Sequence, residues 1–219
     1  MPASTFFSTS RRGFVGTLAA LGLLPALPGE VPAQAPSPAD AWLDGMKGTH
    51  RLLFDVPEPD GGTALRHVHA YLDTWREAYG VGEREVNVAF ALYGHTTPWG
   101  VTDAMWEKYK LGAAIGITDS TTNAPLVRNW FAHPRPGDPV GDGTPESSME
   151  SLQRRGVVFL LCNNALKRWS GRLEKGGMGR AADIHADLRA HALPGIVIVP
   201  DVLIAMTKAF EHRFGYVRS

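Results

Sequence analysis

The sequence predicts an α/β fold in which about five mostly parallel strands are covered by helices on both faces. Three observations predict it. Short apolar runs alternate with longer amphipathic ones, in the order β-α-β-α-β-α-β-α-β. The runs at 86–92, 157–161 and 196–199 are almost continuously apolar, as strands buried on both faces must be. Glycine and proline clusters separate the runs, so each one ends at a turn.

Arg51 to Phe54 reads as the first strand, closed by Asp55 and the turn residues Pro57, Pro59, Gly61 and Gly62. Leu65, Val68, Leu72, Trp75 and Tyr79 then recur at spacings of three and four, a helical period that Gly80 and Gly82 stop. Val86 to Leu92 is the second strand and ends at Tyr93-Gly94-His95. Thr102-Asp103 caps a helix expected to run to about Leu111. From Asp119 to Thr144, Pro125, Pro134, Pro136 and Pro139 interrupt any periodic pattern. A loop of that length inside a compact domain is expected to be a lid, a binding loop or an interface segment. A short helix over 145–155 leads to the third strand at 157–161, and Asn163 to Trp169 is helical. A glycine-rich connector (171–179) and a helix (182–190) follow, then a strand (196–199), a helix (201–210) and a closing strand (215–217).

Ser10-Arg11-Arg12-Gly13-Phe14-Val15 precedes an apolar run to Leu27 and the small-residue site Ala33-Gln34-Ala35. This pattern reads as a twin-arginine export signal cleaved after Ala35, and it sets the expected location as periplasmic or otherwise exported. The domain plan is therefore a signal at 1–35, a linker at 36–48 and one domain at 49–219. The apolar run is shorter than the roughly 20 residues a membrane-spanning helix needs, so no span is expected. The formal net charge is +0, with 22 basic and 22 acidic residues, which argues against nucleic acid or anionic lipid as a partner. The single cysteine cannot form an internal disulfide.

Ligands of open parallel sheets bind beyond the carboxyl ends of the strands. That rule selects Asp55, Tyr93, Gly94, Asn163, Asn164 and Asp201 as candidate ligand-binding residues, and Cys162 with His95 as a candidate catalytic pair. Cys162 opens a helix, where free backbone N–H groups and the helix dipole favour a thiolate, the nucleophilic form of the residue. Unpaired cysteine is also among the most buried residue types, and Val157 to Leu161 before it is plain core. Both readings stay open. His67 and His69 lie two apart on a helix and point in different directions, and no other histidine spacing suits a metal, so neither metal nor cofactor is expected. The chain has no G-x-G-x-x-G after a strand and no G-x-S-x-G, which weakens dinucleotide and serine-hydrolase chemistry.

The block Gly156-Val157-Val158-Phe159-Leu160-Leu161-Cys162-Asn163-Asn164-Ala165-Leu166, the later Leu193-Pro194-Gly195-Ile196-Val197-Ile198-Val199-Pro200 and the terminal Gly215-Tyr216-Val217 resemble the DsrE-like (DsrE/DsrF) sulfur-relay family. Asp103 to Gly112 is similar to the exported, twin-arginine-bearing members of that group. The resemblance implies a three-layer flavodoxin-like fold and a homo-oligomer. It also implies a cysteine that carries persulfide sulfur between a donor and an acceptor protein, a role that falls on Cys162. Two departures stand against it: the relay proteins work in the cytoplasm, and the 119–144 loop has no counterpart. The expected function is sulfane-sulfur binding or transfer through Cys162. The alternative is a non-catalytic small-ligand-binding or assembly module in which Cys162 is structural.

Overall fold

The computed structural model describes residues 37–119, 121–138 and 145–219. The export-signal expectation at 1–35 lies outside the described residues. Five strands form one parallel sheet: β1 (His50–Val56), β2 (Val86–Leu92), β3 (Val158–Cys162), β4 (Val197–Val199) and β5 (Gly215–Arg218), in the order β4-β3-β2-β1-β5. The helices are α1 (Thr63–Tyr79), α2 (Asp103–Lys108), α3 (Leu111–Ala114), α4 (Met149–Arg154), α5 (Asn163–Lys175), α6 (Ala181–Ala190) and α7 (Val202–Glu211). The architecture is the three-layer, flavodoxin-like α/β arrangement, although its strand order differs from the 2-1-3-4-5 of flavodoxin.

Strand order and handedness together dictate the layers. From β1 to β4 each new strand is added on the same side, so right-handed crossovers place α1 to α6 on one face. The connection from β4 to β5 returns across the sheet in the opposite direction, and the same handedness puts α7 on the other face. Side chains alternate accordingly. Phe54, Val56, Val88, Phe90, Leu92, Phe159 and Leu161 join the larger core beneath α1 to α6. Leu53, Ala89, Ala91, Leu160, Cys162 and Val199 join the smaller core with Val202, Ala205, Met206 and Ala209 of α7.

One helix does not cover five strands, and the segment read as a linker completes that layer. Pro38–Gly45 forms a 3-10 helix started by Ser37, whose side chain accepts the Ala39 N–H, and Trp42, Leu43 and Met46 are buried in the smaller core. The ordered domain thus begins before residue 49, because the α7 face needs these side chains.

Part of the 119–144 loop is core and not lid. Leu126, Trp130, Phe131 and Ala132 are buried in the larger core, with Phe131 stacked on Trp99 at 4.0 Å between centroids. Asn129, 1% exposed, donates through Nδ2 to Trp99 O and Val101 O and receives the Ala132 N–H on Oδ1. The expected helix to Leu111 breaks at Lys110, which adopts left-handed φ 51, so α3 can turn towards this segment. No helix among the described residues is long and apolar enough to cross a membrane.

Candidate functional site

The carboxyl rim of the sheet divides into two sides, because successive residues of a strand point to opposite faces. Cys162 ends β3 and points to the α7 side. It is 1% exposed and packs in the smaller core with Ala165, Leu160 and Val199. Its Sγ accepts the Ala165 N–H at 3.4 Å and so caps the start of α5. The sulfur is therefore a cap and a small apolar filler with no opening to solvent.

His95 is not beside it. The His95 ring is 46% exposed and its Nδ1 lies 2.7 Å from Glu58 Oε2, also exposed. The His95 N–H donates to Pro57 O at 2.8 Å, tying the turn after β2 to the turn after β1. The expected Cys162–His95 pair is not formed, because the ring turns outward to a carboxylate while the thiol turns inward beneath α7. Gly94 likewise has a structural task. Its φ of 59 suits glycine, and its carbonyl accepts from Trp169 Nε1 at 2.7 Å and Thr97 Oγ1 at 3.0 Å.

Asp55 and Tyr93 do come together. Asp55 points to the α7 side and is 4% exposed. Tyr93 Oη donates to its Oδ1 at 2.6 Å and Tyr216 Oη donates to its Oδ2 at 2.5 Å. Burial, followed by the hydrogen bond to Asp55, pushes the Tyr93 hydroxyl well above the usual tyrosine range. Tyr216 is raised too, chiefly by its hydrogen bond to the same carboxylate. Both hydroxyls therefore stay protonated and spend their protons on Asp55, which leaves their oxygens as acceptors only. Arg218, in register with Asp55 on the neighbouring strand, adds a cation to this rim without forming an ion pair to it among the described residues.

Asn163 and Asn164 part company at the first turn of α5. Asn164 Nδ2 donates to Asp201 Oδ2 at 2.7 Å, bridging the ends of β3 and β4 on the α7 side. Asp201 Oδ1 accepts the Leu203 N–H at 2.8 Å and caps α7. The hydrogen bond from Asn164, with that backbone bond, holds the Asp201 carboxyl below the usual range. Asn163 faces α6 instead: its Oδ1 lies 2.9 Å from His185 Nε2 and accepts from Arg189 Nη1 at 2.6 Å. His185 is pushed down by burial and by the nearby Arg189 and Lys167 cations. Among the described residues no group of three His, Cys, Asp or Glu is placed to hold a metal ion.

The α7 side of the rim thus carries Asp55, Tyr93, Asn164 and Asp201, together with Tyr216 and Arg218. Tyr216 was not selected from the sequence because its role depends on β5 lying beside β1. The available signal was a buried acid at a strand end, which requires hydroxyl or amide donors from somewhere in the fold.

No protein-family model matches the chain, and no curated protein matches it. Among solved structures the chain is similar to MTH1491, a protein of unknown function from Methanobacterium thermoautotrophicum. The two share 15% identity over 78% of this chain and 99% of that one, with a TM-score of 0.41.

Proposed function

We propose that the protein is a non-catalytic binding module of the exported compartment. Its carboxyl rim, on the α7 side, takes a small polar ligand, and Cys162 is structural. One observation carries the reading: the thiol is sealed in an aliphatic cluster and its hydrogen-bonding capacity is used to cap α5. The rim beside it offers what a polar ligand needs, acceptor oxygens on Tyr93 and Tyr216 and the Asn164–Asp201 pair at the start of α7. Sulfur carriage, which the family resemblance implies, requires α5 and α7 to part before a donor can reach Sγ.

Assembly into homo-oligomers belongs to the same reading. Leu203, Ile204 and Phe210 of α7 and Tyr216 of β5 are exposed, and Phe210 and Tyr216 pack together at 5.9 Å between centroids. A surface of this kind is suited to a second copy of the chain.

The test is a ligand screen followed by amide chemical shifts. Small polar compounds that bind should move the amides of residues 55–56, 93–96, 163–164 and 201–203, and Cys162→Ser should bind them unchanged. Dependence of binding on the Cys162 thiol, or shifts confined to other parts of the molecule, contradicts the proposal.

A further inference from the structure

At the amino end of the sheet, on the rim opposite the one just described, Lys47, Thr49, Arg51, Glu211, His212 and Arg213 line an open groove of about 500 Å³. That is the size of a small-molecule site, which spans about 300–1,000 Å³. The turn entering β1, the first residues of β1 and the turn leaving α7 build it.

Arg51 fixes the floor of the groove. Its Nε donates to Gly48 O at 2.8 Å and its Nη1 to His212 O at 2.9 Å, so one side chain ties the two turns together. Gly48 is itself anchored, its N–H donating to Asn87 Oδ1 at 2.5 Å. Arg51 Nη2 keeps its donors without a partner among the described residues.

Cations beside a helix carboxyl end are often explained by the helix dipole alone. Here Arg51 already serves the end of α7 by binding His212 O. Lys47 and Arg213 are exposed and have neither a hydrogen bond nor an ion pair to any described side chain. Among the described lining residues the acid is Glu211, matched by Lys208, whose Nζ lies 2.9 Å from its Oε2, while Glu85 beside the groove accepts from Thr49 Oγ1 at 2.9 Å. The concave surface therefore holds positive charge in excess of its own acids.

We propose that this groove binds a small organic phosphomonoester. Arg51 and Arg213 would meet phosphate oxygens with guanidinium N–H groups and Lys47 would act as a point charge. The volume left beyond the phosphate takes the organic body. This site is independent of the carboxyl-rim reading, and either can fail alone.

Isothermal titration of the protein with inorganic phosphate and with glycerol phosphate, at constant ionic strength and with glycerol as control, tests it. Saturable one-to-one binding is expected, tighter for the ester than for the ion. Lys47→Gln and Arg213→Gln, both at exposed positions, should each weaken it by about tenfold. Lys175→Gln, an exposed cation on α5, should leave it unchanged. Absence of saturable binding to either anion, or binding that survives the Lys47→Gln/Arg213→Gln double variant, would overturn the site. Equal affinity for the two ligands would overturn the place given to an organic body.

Discussion

Cys162 owes its surroundings to its place in an alternating strand. Leu161 points to the larger core and Cys162 to the smaller one, where α7 lies over it. In the native protein a maleimide should therefore alkylate Cys162 many times more slowly than in denaturant, with mass spectrometry as the readout. Fast stoichiometric labelling of the folded chain would contradict the burial. The Asp55 clamp yields a second prediction at this scale. Tyr93→Phe removes a donor from a buried carboxylate and should cost about 1–3 kcal/mol near neutral pH, measured by urea unfolding. Because the folded hydroxyls of Tyr93 and Tyr216 titrate above their unfolded value of about 10, their contribution is complete below that pH. It is lost as pH rises through the raised folded values. Stability should fall in that alkaline range, and less steeply in the Tyr93→Phe variant.

At the scale of elements, the long connection between β2 and β3 is where sequence and structure part. Its prolines suppress periodicity, so nothing in the pattern announces that Leu126 and Phe131 are core residues or that Asn129 serves two carbonyls. The second strand and the longest helix were legible because their apolar spacing is repeated several times: α1 ends at Tyr79 where Gly80 stops its period, and β2 matches its expected bounds, whereas α5 runs past its expected end at Trp169 to Lys175, into the expected glycine-rich connector. Aromatic residues in an aperiodic segment carry no such signal. The packing of this segment is tested at Gly112, where a Cβ would stand 2.0 Å from Leu126 O. Gly112→Ala should destabilise the protein by about 3 kcal/mol or more, since the obstacle is backbone and cannot rotate away. Asp201→Ala is the milder probe: loss of the α7 cap should cost about 0.5–2 kcal/mol. A neutral result at either position would separate these contacts from stability.

Among the described residues the sheet is unequally covered, with α1 to α6 on one face and α7 with the 3-10 segment Pro38–Gly45 on the other. That asymmetry follows from the strand order β4-β3-β2-β1-β5, which the sequence does not contain in any local pattern. Rim residues could be picked from strand ends, and Asp55, Tyr93, Asn164 and Asp201 do share one side. Which face each side chain takes, and that Tyr216 would reach Asp55, depended on the order of the strands. The segment before β1 is part of the fold, since Trp42, Leu43 and Met46 are buried in the smaller core. Trp42→Ala should cost about 3–5 kcal/mol by uncovering the α7 side of the sheet. The most direct test of the central claim is intact-mass and peptide mapping of the native protein after incubation with a polysulfide donor. Unmodified Cys162, with modification appearing only after unfolding, is the predicted result. A persulfide on Cys162 of the folded protein would contradict the account and restore the cysteine as a sulfur carrier.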